Sequence, residues 1–166
     1  MNVTISIDTI SPRLDHLLRQ GRDLRPVLRA MGTEFIAITQ QAFDNPALRI
    51  AVWAARKETK WGANPNKSGR QRLFTNSGAS THPLLKKSGL LVKSFHTMVS
   101  ESSVTISSDR PYARIQQFGG KAGRDHKVII PSRPFMPIER NGEMPKWAVD
   151  RIARTAGAAF KARLGD

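Results

Sequence analysis

The residues of this chain that could perform acid–base chemistry or bind a metal are few and scattered. The four histidines are His16, His82, His96 and His126, and there is no cysteine. No two histidines stand at a metal-ligand spacing, and only His126 has a carboxylate neighbour, Asp125. The carboxylates form no pair suited to acid and base catalysis, and phosphate-binding loops and nucleophile elbows are missing. The sequence therefore predicts no catalytic residue, metal site or cofactor.

The stretch from Tyr112 to Phe135 instead has the residue types of a fixed protein–protein contact. Residues 112–120 read YARIQQFGG, an aromatic and aliphatic run that ends in two glycines. A charged insert follows, and residues 129–135 then read IIPSRPF. Because prolines lose little entropy on docking, and arginine and aromatic residues are frequent interface anchors, we expect this region to fit against other protein surfaces.

Two interpretations of the segment that ends at Phe135 stay open at this point. In the first, Pro131 and Pro134 stiffen an arm that presents Arg133 and Phe135 to a neighbouring subunit. In the second, the segment is the exit of a strand and closes the domain's own core. The residue types alone do not separate the two.

Other residues of the same region favour structural roles. Gly119 and Gly120 could allow close packing of subunits, but a pair of glycines more often supplies backbone angles that other residues avoid. Tyr112 suits half-buried packing better than acid catalysis. Trp53 is expected to pack where the long helix described below ends.

The positive charge of the chain is concentrated in its middle. The net charge is +14, and residues 46–127 hold fifteen basic and four acidic side chains, a net of +11. Residues 1–45 are neutral overall and residues 128–166 carry +3. Such a field attracts nucleic acid, acidic proteins or anionic lipid without choosing among them.

A basic loop, residues 56–82, contributes much of this charge. Glycine, asparagine and serine separate its cations, so we expect it to be mobile in isolation. It could line a DNA channel, dock on an acidic protein or stay solvated, and we favour an assembly contact that orders it on binding. The cations are Arg56, Lys57, Lys60, Lys67, Arg70 and Arg72.

A long amphipathic helix is the clearest structural prediction. It starts near Asp23, tolerates Pro26 in its first turn and ends before Asn45-Pro46. Its apolar residues recur at steps of four and three, which places them on one helical face. They are Leu24, Leu28, Met31, Phe35, Ile38 and Ala42.

The remaining elements predict an α+β domain. Strands are expected at Val3–Ile7, Phe95–Val99, Val104–Ile106 and Val128–Pro131, and shorter helices at 11–21, Pro83–Leu91, Pro111–Phe118 and from Met144 onward. An antiparallel sheet packed by the long helix and a C-terminal helix accounts for this order. We expect residues 1–166 to form a single domain.

The overall composition is that of a globular protein from a reducing compartment. Hydrophobic residues make up 39% of the chain. The first residues have no signal-peptide pattern, and no apolar run approaches the roughly 20 residues of a membrane helix. We expect a soluble protein, cytoplasmic when made, without a membrane partner.

The chain also resembles the virion morphogenesis, or tail completion, family of Mu-like tailed bacteriophages. Four pieces in the same order carry the resemblance over roughly residues 30–160: an aromatic after the long helix, a leucine-rich segment with Ser-Gly-Leu, the 111–120 stretch and the 130–135 stretch. The positions that match the family pattern are Trp53, Ser88, Gly89, Leu90, Tyr112, Ala113, Gln117, Phe118, Gly119, Gly120, Pro131, Arg133, Pro134 and Phe135.

The resemblance implies a structural, non-enzymatic protein in the neck or head-proximal tail of a virion, assembled in the bacterial cytoplasm. There it would complete the tail or join it to the head as a ring of copies, six if it caps a tail tube. Its partners would be tail-tube, tail-terminator or head-connector proteins.

An alternative function is that of a nucleic-acid-binding protein that contacts DNA phosphates. The positive charge supports this alternative, and the absence of a recognition motif opposes it. A cell-envelope hydrolase is a weaker alternative because a carboxylate pair is missing.

Overall fold

A computed structural model describes residues 2–6, 23–53, 84–86 and 88–164 of the chain. Within these residues the secondary structure confirms the α+β class. The strands are β1 (Asn2–Ser6), β2 (Phe95–Val99), β3 (Ser103–Ser108), β4 (Gly120–Ala122) and β5 (Val128–Ile130), and the helices are α1 (Arg25–Ala42), α2 (Ala113–Phe118) and α3 (Lys146–Leu164).

The strands form two antiparallel sheets. The larger has the order β1-β3-β2, and the predicted hairpin of β2 and β3 is confirmed, with Val99 opposite Val104. Ser100 closes its turn by donating its backbone N–H to the Ser103 carbonyl at 2.9 Å. The smaller sheet pairs β4 with β5, so the last predicted strand lies outside the larger sheet.

Helix α1 forms the centre of the core, as its apolar pattern predicts. All six residues of that pattern are at most 2% exposed. Asp23 accepts the backbone N–H of Arg25 at 3.0 Å, which satisfies a donor that the helix start leaves open. Pro26 lies in the first turn without a conflict, because no intrahelical bond needs its missing N–H there.

A glycine lets α1 approach the larger sheet. A Cβ atom added to Gly32 would lie 2.8 Å from the Cγ2 atoms of both Thr97 and Val104. Real Cβ contacts of this length are essentially never seen, so the helix-to-sheet spacing depends on the absence of a side chain here.

Helix α3 packs against α1. Its Ile152 and Ala156 are buried, as the C-terminal periodicity predicts. Arg151 joins the two helices through bonds to the carboxylate of Glu34, at 2.5 Å, and to the side-chain oxygen of Gln41, at 3.0 Å. The sheet, α1 and α3 therefore form successive layers.

The short helix predicted for Pro83–Leu91 is wrong for the residues of that segment that the structure describes. They form turns, although Leu91 is buried and Leu84 and Leu85 pack partly against the core. Positive φ angles at Leu85 (64°) and Gly89 (67°) explain the difference, since such angles interrupt a right-handed helix. The predicted helix at 11–21 and the basic loop at 56–82 lie outside the described residues.

Candidate functional site

A single side chain, that of Gln117, connects α2 with the segment around Phe135. Its oxygen accepts the backbone N–H groups of Phe135 and Met136, both at 2.9 Å. Its nitrogen donates to the carbonyls of Met136 and Ile138, at 3.2 and 3.1 Å. Gln117 is 1% exposed, so it satisfies four buried backbone groups of a segment that has no strand partner.

The segment that follows β5 is held close to the end of α2. The N–H of Arg133 donates to the carbonyl of Gln116 at 2.7 Å. Gly119 has φ +70°, and a Cβ there would lie 2.8 Å from the nitrogen of Ser132 and 3.0 Å from the carbonyl oxygen of Ile130. Gly119 therefore supplies both space and a backbone conformation, φ 70° and ψ 177°, that other residues avoid, which agrees with the structural role expected from the sequence.

An aromatic cluster surrounds the end of this segment. The ring of Phe135 stacks on Phe43 at 5.3 Å between centroids and lies 5.7 Å from Phe95. Trp53 meets Phe43 edge-on at 5.8 Å, and its indole N–H donates to the Pro134 carbonyl at 2.7 Å. Trp53 thus packs just beyond the end of α1, as the sequence analysis predicted.

Arg49 covers the outer side of that cluster. Its guanidinium lies 3.8 Å from the centroid of the Trp53 ring and donates to the carbonyls of Ala42 and Phe43, at 2.7 and 3.0 Å. It therefore caps the C-terminal end of α1 and makes a cation–π contact. Partial burial lowers the pKa of Arg49, and the charge of Asp44 opposes that shift.

The structure divides the family-pattern residues into an interior group and a surface group. Phe135 is 1% exposed, so its burial favours the interpretation in which this segment closes the domain's own core. The other buried members are Trp53, Ala113, Gln117, Arg133 and Pro134, the exposed members are Ser88, Leu90, Tyr112 and Gly120, and the intermediate ones are Gly89, Phe118, Gly119 and Pro131. An interface role for the surface group stays a prediction.

Both faces of the β4–β5 hairpin carry side chains that are open to solvent. Val128 is 54% exposed and Ile129 is 71% exposed, although consecutive strand residues point to opposite faces. A two-stranded hairpin is only marginally stable alone, and bare aliphatic strands attract further chains. This hairpin is therefore the strongest candidate for a protein contact.

A basic groove of about 520 Å³ lies beside the hairpin, between α2, β4 and the loop that carries Arg140. Its apolar lining includes Ile115 and Phe118, and its cations are Arg114, Lys121 and Arg140. Arg140 donates to the carbonyl of Phe118, which anchors its guanidinium at the end of α2. No carboxylate lies among the lining residues that the structure describes.

The residues first considered for catalysis do not converge in the described part of the chain. His96 is exposed on β2, and His126 is exposed beside Asp125, whose carboxylate lies 3.4 Å from the ammonium of Lys127. His16 and His82 lie outside the described residues. Residues 2–6, 23–53, 84–86 and 88–164 contain no group of three side chains that could hold a metal ion, and no helix among them could cross a membrane.

Sequence reasoning missed the roles of Arg49, Gln117 and Arg140. Each acts through a backbone carbonyl or N–H group that the chain brings near only by folding, so no local spacing indicates it.

Comparison with known proteins gives three matches. The model of a family described as the phage virion morphogenesis family matches residues 5–145. The putative capsid assembly protein G of Escherichia phage Mu is 29% identical over 164 residues, which cover 97% of each chain. The Mu-like prophage FluMu G protein 2 of Haemophilus influenzae is 43% identical over 53 residues, 32% of this chain and 38% of that protein. No solved structure matches.

Proposed function

Because the chain belongs to the phage virion morphogenesis family, we propose that it completes the tail or joins it to the head in a Mu-like phage or prophage particle. It is a phage structural protein in this proposal, and it acts by shape and charge without turning over a substrate. Its place is the neck or the head-proximal end of the tail. Its neighbours there are tail-tube, tail-terminator or head-connector proteins.

The observation that carries the proposal is the exposed apolar surface of the β4–β5 hairpin. Ile129 and Val128 leave aliphatic area in water that a contact with another chain would bury. Met98 offers a second exposed apolar site on β2, at the edge of the other sheet, and is 70% exposed. Two different sites on each copy suit a head-to-tail contact, which closes into a ring when the rotation allows.

We propose six copies in that ring if it caps a tail tube, a number that rests on the family's setting alone. The basic loop at 56–82 would meet an acidic neighbour or pass near packaged DNA. Contact with DNA would be to phosphates and independent of sequence.

A role in head assembly is the second candidate, because the phage Mu relative is named a putative capsid assembly protein. Deleting the gene separates the two. If the protein joins heads to tails, electron microscopy of the resulting lysates should show full heads and finished-length tails apart from one another. Absent or malformed heads would favour the second candidate, and normal particles would contradict both.

A further inference from the structure

The groove beside the hairpin combines an apolar lining with cations that have no acidic partner among the described residues. None of the ion pairs formed among the described residues involves Arg114, Lys121 or Arg140. By contrast, cations elsewhere in the same part of the chain, such as Lys86 and Arg151, each meet a carboxylate. The groove therefore keeps three positive charges available to a ligand.

Strand register shows which face of the hairpin adjoins this groove. Gly120 lines the groove, pairs with Ile130, and a Cβ added to it would lie 3.5 Å from the Ile115 side chain. Consecutive strand residues point to opposite faces, so the exposed Ile129 lies on the other face of the hairpin. The apolar side chains of the groove are therefore Ile115 and Phe118.

We propose that this groove is a docking site for a segment of another protein that carries carboxylates interleaved with aliphatic side chains. The carboxylates meet Arg114, Lys121 and Arg140, and the aliphatic groups pack on Ile115 and Phe118. Charge complementarity selects the occupant. A second copy, which carries +14, is a poor occupant of the groove itself, and the contact between copies proposed above uses the apolar hairpin residues Val128 and Ile129 instead.

The apolar lining favours an acidic peptide over a nucleic acid backbone. Phosphate contacts need cations and polar donors and gain nothing from aliphatic surface. Single-stranded bases stack on aromatic side chains, and Phe118 is the one aromatic among the lining residues that the structure describes. DNA is accordingly the rival ligand in the test.

The probe is a short synthetic peptide that alternates glutamate and leucine, added to the full-length protein labelled with ¹⁵N. We expect the amide resonances of the protein to shift for residues 114–121 and for Arg140. Two control peptides, with lysine for glutamate or serine for leucine, should bind at least about tenfold more weakly. Binding that is indifferent to the leucines would overturn the proposal.

Charge-reversal variants test whether the cations of the groove bind the peptide. Replacing Arg114→Glu and Lys121→Glu together should weaken peptide binding by at least about tenfold, with the melting temperature nearly unchanged because both side chains are exposed. Lys161→Glu, an exposed position on α3 outside the groove, is the control and should weaken it by less than about twofold. Comparable losses per charge at both places would contradict a local site.

The last experiment adds a short DNA duplex as a competitor of the peptide. If it displaces the peptide and moves the same amide resonances at physiological salt, the groove binds phosphates and the proposal is wrong. Absence of peptide binding at about millimolar peptide concentration also rejects the proposal.

This docking site adds a partner chemistry to the assembly role proposed above, and it rests on that role for the expectation that the partner is another particle protein. The peptide measurement needs no particles, so either idea can fail without the other.

Discussion

The side-chain oxygen of Gln117 accepts the backbone N–H of Phe135 at 2.9 Å. This bond joins two pieces of the family pattern that are 18 residues apart along the chain. Through it, α2 positions both the aromatic cluster and the exit from β5. The pattern residues inside the molecule therefore fix the segment that follows the β4–β5 hairpin.

Gln117→Leu should unfold the protein at much lower urea concentration. The change leaves four buried backbone groups without a partner, at about 1–3 kcal/mol for each unsatisfied group before relaxation. We expect a loss of at least about 3 kcal/mol in the free energy of unfolding. Gln116→Leu is the control, because its buried side-chain oxygen has no partner in the described residues, and it should cost less than about 1 kcal/mol.

Gly119→Ala should destabilise more than Gly89→Ala, although the two glycines have nearly equal φ angles of +70° and +67°. Both changes place alanine at a positive φ, at a cost of about 1–2 kcal/mol, and the cost is greater at Gly119, whose ψ of 177° lies in a region that essentially only glycine adopts. Only Gly119 also has backbone atoms, those of Ser132 and Ile130, within 3.0 Å of the new Cβ. Thermal melting should separate the two variants, and equal melting temperatures would show that the close approach has no energetic weight.

Gly32→Ala and Gly157→Ala should have opposite signs. Alanine gains about 1 kcal/mol over glycine in a helix interior, and Gly157 has nothing within 4 Å of its added Cβ, so that variant should be stabilised. At Gly32 the methyl groups of Thr97 and Val104 stand 2.8 Å away, and overpacking of about 1–3 kcal/mol exceeds the gain. Stabilisation by both changes would mean that α1 moves off the sheet without penalty.

The sequence allowed α1 and its core face to be predicted because one element contains the whole signal. Six apolar positions at steps of four and three define a helical face without reference to any other part of the chain. The turns at 84–91 were not predictable in the same way, since leucines favour a helix and the positive φ of Leu85 depends on tertiary packing. The groove was missed because Arg140 reaches Arg114 and Lys121 only in the fold.

Phe135→Ala tests the two interpretations of the segment after β5. The ring is 1% exposed and touches Phe43 and Phe95, so its removal should cost about 3–5 kcal/mol. Tyr112→Ala, at a side chain 39% exposed, should cost less than about 1 kcal/mol. A Phe135 variant that melts normally but fails to assemble would instead support the docking-arm interpretation.

The central claim is that the β4–β5 hairpin provides a contact on which particle assembly depends. The most direct measurement is the yield of infectious particles when a phage deleted for the gene is complemented with variants of normal melting temperature. Replacing Val128→Ser and Ile129→Ser together should lower that yield by at least about tenfold, since the contact loses its aliphatic area. The control Val52→Ser, at a side chain 96% exposed beyond α1, should complement fully. Full complementation by the hairpin variant would contradict the account.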